Sequence, residues 1–240
     1  MRLSLIAASR AGWAGSGHSI GQRTQACSCT QGVESARAQV PTETCPVMGI
    51  VVESSVVGNF YTNVTLVGAP REALLSTLGS AGRRAALLLV GRFAVVYDEQ
   101  ADTQDGSNEQ LAASLSSTLR RPAIAVTNHD DDVLIIECFE EGRRTASYNS
   151  KPDYFQRRPG GEPAPPSGGD PSTLVRLCEA GEPSEVQAIL SGEFMFEFLR
   201  HEALVRALGL PMATVNIGYS SIAADELVPG DLEKFVLLGD

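Results

Sequence analysis

Lysine is almost missing from this 240-residue chain: only Lys151 and Lys234 occur, so nearly all of the 19 basic residues are arginines. Together with the abundant alanine and glycine, this bias reflects a GC-rich coding sequence better than a phosphate-binding surface. Basic residues are also outnumbered, 19 against 29 acids, and the net charge of -10 opposes a polyanion. Nucleic acid is therefore not an expected partner. Long apolar runs are lacking too. The longest, Ala85-Ala86-Leu87-Leu88-Leu89-Val90, falls far short of the roughly 18 residues a membrane helix needs, so a soluble chain with no membrane partner is expected. Paired C-x-x-C spacing is absent among the five cysteines, which argues against a zinc site or a disulfide framework and for a reducing, cytoplasmic compartment. No cofactor motif stands out, and none is expected. What is present is a 43% hydrophobic composition, enough to build a core and to exclude wholesale disorder.

Residues 1–47 differ from the rest. They carry Arg2, Arg10, Arg23 and Arg37 against only Glu34 and Glu43, lack sustained periodicity, and hold Cys27, Cys29, Cys45 and Trp13. An unstructured leader is expected. It suits either an organelle transit peptide or, favoured slightly, a start set upstream of Met48, where globular patterning begins. Gly17-His18-Ser19-Ile20-Gly21 has the letters of a nucleophile elbow, yet no buried strand leads into it, so the chemistry is not expected.

From residue 48 to 156 the pattern predicts strand 63–67, a helix over 71–78 opened by Pro70, and an apolar strand ending at Val90. Gly91-Arg92 then supplies a type II′ hairpin into Phe93-Ala94-Val95-Val96-Tyr97. An acidic loop follows, then a helix with Leu111, Leu115 and Leu119 on one face, and strands 123–127, 133–139 and 145–148. The order is βαββαβ plus ββ, which predicts an α+β fold with a ferredoxin-like sheet extended by an antiparallel hairpin. With strands one and three running one way and two and four the other, Arg92, the His129–Asp132 turn and Tyr148 should gather at one edge, opposite the acidic loop. Residues 157–169 read as a Pro/Gly linker. Residues 170–240 read as a small helical subdomain: a helix capped by Asp170, others near 183–190 and 197–208, and a short strand at 214–217.

Asn128-His129-Asp130-Asp131-Asp132 is the densest polar group. Asp and Asn favour hairpin turns for local reasons, so the plain turn is the first reading, ahead of a ligand contact or a divalent-metal site. Several motifs fail on spacing. In the acidic stretch Asp98 to Glu109, setting Asp105-Gly106 at positions five and six of a calcium loop puts Ala101 and Ala112 at positions one and twelve, and His201-Glu202 lacks the second histidine of a zinc protease, leaving His201 as a helix-surface residue. Phe194, Phe196 and Phe198 alternate as a buried strand-like segment would.

The stretches Thr127 to Leu134, Glu141-Gly142, Tyr148-Asn149-Ser150, Pro152-Asp153-Tyr154-Phe155, Gly168-Gly169-Asp170 and Leu177-Cys178 resemble a family of uncharacterised bacterial proteins. Its pattern is an N-H-D-D-D-V-L turn and strand, a hairpin, a Y-x-S-x-P-x-Y-F stretch and a G-G-D helix start. The resemblance covers roughly residues 60 to 220 and implies no activity. The expectation from the sequence is thus a non-catalytic module binding a protein or small ligand through Arg92, His129, Asp130, Asp132 and Tyr148. The alternative is a metal-dependent enzyme, a hydrolase, with His129, Asp130 and Asp132 as ligands.

Overall fold

A computed structural model of the chain describes residues 58–156, 161–224 and 234–239. The leader, its G-x-S-x-G motif and the first residues of the linker lie outside them. The strands are β1 (Tyr61–Val67), β2 (Ala85–Val90), β3 (Phe93–Asp98), β4 (Ala123–His129), β5 (Val133–Glu140), β6 (Arg143–Asn149), β7 (Ser167–Gly168) and β8 (Phe235–Leu238). The helices are α1 (Arg71–Ser80), α2 (Ser107–Leu119), α3 (Pro171–Cys178), α4 (Pro183–Ser191), α5 (Glu197–Ala207) and α6 (Tyr219–Ala223). The fold is mixed α+β. Its strands form a single antiparallel sheet in the order β7-β6-β5-β4-β1-β3-β2-β8. No helix among the described residues is long and apolar enough to cross a membrane.

Helices cover both faces of this sheet. Leu74 and Leu78 of α1 and Leu111 and Leu115 of α2 pack on Val64, Leu66, Leu87, Val96 and Ala125. On the other face, Leu174, Leu177, Val186, Leu190 and Leu204 of α3 to α5 pack on Tyr61, Ile124, Val126, Leu134, Ile136 and Tyr148. Ile222 of α6 covers Ala86, Leu88, Val95 and Tyr97 beside them. A strand buried from both sides reads as a run rather than an alternation, and all seven residues of β1 are buried. Its polar members therefore need partners inside: Asn63 Nδ2 donates to the Thr214 carbonyl at 2.8 Å.

Local chemistry sets several boundaries. Asp170 caps α3, its carboxylate accepting from Ser172 N at 3.0 Å and Thr173 Oγ1 at 2.7 Å, with Pro171 at the first helical position. Loss of such a cap costs about 1 kcal/mol. Four local expectations are corrected. Ser167-Gly168 of the supposed linker pairs with β6, and residues 212–214 form a 3-10 turn where a strand over 214–217 was expected. Phe196 ends a loop before α5, its ring stacked on Phe198 at 5.8 Å, so the alternating phenylalanines are no strand. His201 is buried rather than on the helix surface.

Strand direction is corrected as well. β1 is antiparallel to β3 and β4, and β3 to β2, so β1 and β2 run together and β3 and β4 run the other way. The reason is geometric. Each helical crossover carries the chain back along the sheet before the next strand starts, so strands joined through α1 or α2 share a direction, while only hairpins reverse it. The Gly91-Arg92 hairpin thus lies at one end of the sheet. The His129–Asp132 turn, the start of β1, the end of β6 and the acidic loop after β3 lie at the other.

Candidate functional site

The turn between β4 and β5 is tight. Asp130 and Asp131 both take positive φ, 56° and 53°, and Asp132 N donates to the His129 carbonyl at 3.0 Å, which makes a type I′ turn. Aspartate tolerates this region because its short side chain bonds locally. The Asp131 carboxylate accepts from Asn128 Nδ2 at 2.8 Å and from Asn59 N at 3.0 Å. Its backbone N–H donates to the Asn59 carbonyl at 3.2 Å, and its carbonyl accepts from Glu197 N at 2.8 Å. One residue thereby ties the segment before β1, the hairpin and the start of α5. Asp132 accepts from Lys151 Nζ at 2.7 Å and Tyr154 Oη at 3.2 Å. Asp130 is exposed and lies against Gly58, where an added Cβ would stand 2.0 Å from its Oδ1.

His129 is held from the acidic loop. Gln104 Nε2 donates to the Asn128 carbonyl at 2.8 Å, which turns Gln104 Oε1 toward His129 Nδ1, 2.7 Å away. That oxygen can only accept, so the proton of the neutral ring sits on Nδ1. Around the imidazole stand Phe60 at 4.8 Å, Phe155 at 5.0 Å and Tyr154 at 6.1 Å, all edge-to-face. This cluster is open to solvent: Phe60 is 44% exposed and Phe155 67%. A shallow cavity of about 220 Å³ adjoins the turn, lined by Gly58, Asp130, Asp131, Asp132, Met195 and Phe196, with Met195 84% exposed. Large apolar side chains and a rigid acidic bend therefore meet at one end of the sheet.

The structure brings together His129, Asp130 and Asp132 and separates the other two expected residues from them. Arg92 is at the far end of the sheet, where it binds the Cys178 carbonyl and the Glu179 carboxylate. Tyr148 is buried on the face opposite His129, its hydroxyl donating to the Leu190 carbonyl at 2.9 Å while burial raises its pKa. The acidic loop, expected at the opposite edge, instead supplies Gln104. Among the described residues, no three His, Cys, Asp or Glu side chains converge to hold a metal. Two of the turn carboxylates are already engaged by protein donors. Residues that spacing did not single out are Phe60, Gln104, Lys151 and Met195. Tyr154 and Phe155 were visible only as part of the Y-x-S-x-P-x-Y-F stretch.

Beneath the turn lies a second polar layer with a structural job. The Arg200 and Glu197 ion pair (Nε to Oε2, 2.8 Å) is 4% exposed on each side. Arg200 Nη1 also donates to the carbonyls of Ile189, Leu190 and Gly192, satisfying the C-terminal end of α4. Tyr61 Oη lies 2.8 Å from His201 Nδ1, and burial pushes that histidine down to about 3. A neutral imidazole accepting from a phenol is stable here, and an imidazolium is not. Compared with protein-family models, curated proteins and solved structures, the chain matches none.

Proposed function

We propose that the chain is a non-catalytic, cytoplasmic binding module whose inner βαββαβ unit is ferredoxin-like and whose partner is a protein segment carrying apolar and basic side chains. The sheet order β4-β1-β3-β2, with α1 and α2 on one face, supports the ferredoxin-like reading. The observation that carries the binding reading is the cluster of exposed Phe60 and Phe155 with half-buried His129 and Tyr154 beside the Asp130 to Asp132 bend. Exposed aromatic side chains that converge beside charge provide apolar contact area with a polar rim. The acidic bend and the net charge of -10 favour a basic segment over an acidic one and speak against nucleic acid. The helices α3 to α5 act as a C-terminal subdomain that braces the sheet beneath the turn.

The test uses two sets of synthetic peptides, one combining Arg or Lys with Phe or Leu, the other combining Asp or Glu with the same apolar residues. The wild-type chain should retain members of the basic set, more weakly as salt rises, and Phe155→Ala should release them. Equal retention of both sets, or retention unaffected by Phe155→Ala, overturns the reading. The metal-dependent alternative predicts divalent-ion affinity that His129→Ala and Asp130→Ala abolish; unchanged, negligible ion binding in wild type and variants removes it.

A further inference from the structure

A second cleft, larger than the cavity beside the turn, lies away from the His129 end. About 530 Å³ in volume, it opens at the opposite end of the sheet between the ends of β1 and β5, the β2–β3 hairpin, the entry to β4 and the C-terminus of α3. Three arginines line it, Arg92, Arg121 and Arg176, with two glutamates, Glu140 and Glu179, above an apolar floor that includes Val67, Pro122 and Leu177. In a chain with ten more acids than bases this surplus of guanidinium is local and runs against the overall charge.

Two of the three guanidinium groups are fixed in place. Arg176 forms a fork on Glu140, Nη1 to Oε1 at 2.8 Å and Nη2 to Oε2 at 2.6 Å, and this contact holds the Glu140 carboxyl below its usual range. Arg92 reaches across from the hairpin to the Cys178 carbonyl and Glu179, neutralising the negative end of α3 that would otherwise repel an anion. A guanidinium has five N–H donors, so both keep donors to spare. Arg121 makes no ion pair or hydrogen bond among the described residues. Its Nη1 lies beside Gly68, 3.7 Å from where a Cβ would stand.

We infer that this cleft binds a small organic anion, with a phosphate or carboxylate head held by Arg121 and the free edges of Arg92 and Arg176 and an apolar body resting on Val67, Pro122 and Leu177. Planar guanidinium forks match both head groups. The volume suits a metabolite-sized molecule rather than a polymer, which the net charge of the chain would repel in any case. The site is independent of the aromatic surface, since the two lie at opposite ends of the strands.

Inorganic phosphate and succinate serve as probes in separate titrations at constant ionic strength, read by calorimetry. At least one should bind saturably with a Kd of about 1 mM, as expected for a head group without its body. Which one binds identifies the head. Arg121→Ala should weaken it about tenfold, Arg121→Lys by less, and the exposed Arg71→Ala of α1 not at all. Phe155→Ala should leave anion binding intact whether or not it abolishes peptide binding, which separates this inference from the proposal above. Absence of saturable binding by either probe below about 10 mM overturns the inference. Equal affinity in Arg121→Ala and wild type also overturns it, marking an adventitious ion only.

Discussion

Replacing Asp131 with glycine and Asp130 with glycine should move stability in opposite directions, although the two are neighbours in one turn with nearly equal φ. Both substitutions relieve a left-handed backbone conformation, worth about 1 kcal/mol, and both give back part of it through the entropy of glycine in the unfolded chain. The side chains decide the difference. Asp130 is exposed and accepts no hydrogen bond among the described residues, so its replacement should stabilise by about 0.5 kcal/mol. Asp131 accepts from Asn59 N and Asn128 Nδ2, and each charge-assisted bond contributes about 1.5–3 kcal/mol when buried. The residue is only half-buried, so water replaces part of that, and a net loss of about 1–3 kcal/mol follows. In urea, with a slope of about 2 kcal/mol per M, the midpoints of the two variants should differ by about 1 M. Asp131→Asn, which tolerates the same backbone and keeps one acceptor, should fall between them. An Asp131→Gly midpoint at or above that of Asp130→Gly would refute the claim that this carboxylate ties the turn to the segment before β1.

Two further outcomes concern the layer under the turn. Arg200→Met should cost about 3–5 kcal/mol by thermal unfolding, because Glu197 is left charged and buried and the carbonyls of Ile189, Leu190 and Gly192 lose the bond from the guanidinium; adding Glu197→Gln should recover part of the loss. His201 is held at about 3 in the fold against an ordinary 6.5, so its neutral form is the folded one. Its contribution is complete above about pH 6.5 and is lost as pH falls toward 3, at up to about 1.4 kcal/mol per pH unit. His201→Gln, which keeps an acceptor for Tyr61 but does not titrate, should flatten the stability profile between about pH 4 and 6, and an unchanged slope would show that another group drives the acid limb.

Much of the fold could be read from local pattern. The Gly91-Arg92 hairpin, with Gly91 at φ 56°, and the Asp170 cap with Pro171 depend on residues adjacent in the chain, and such signals survive whatever packs around them. Strand β8 escaped notice because four apolar residues make too short a run to show a period, and only pairing with β2 defines them as a strand. The candidate site was half legible. Consecutive polar letters marked His129 to Asp132, but nothing in their spacing could reveal that Phe60, 69 positions earlier, and Gln104, 25 positions earlier, meet the same imidazole.

By itself, the sequence determined the class of the fold, the order of helices and strands through residue 149, and a charge that disfavours polyanions. These follow from composition and from interactions spanning a few residues. Only the tertiary structure decided which end of the sheet each loop occupies, that Tyr148 and His201 are buried, and that three arginines from separate elements share a cleft. Side-chain burial and convergence depend on strand direction and on which helix covers which face. Those are relations between residues far apart in the chain, and a periodicity read along it does not contain them.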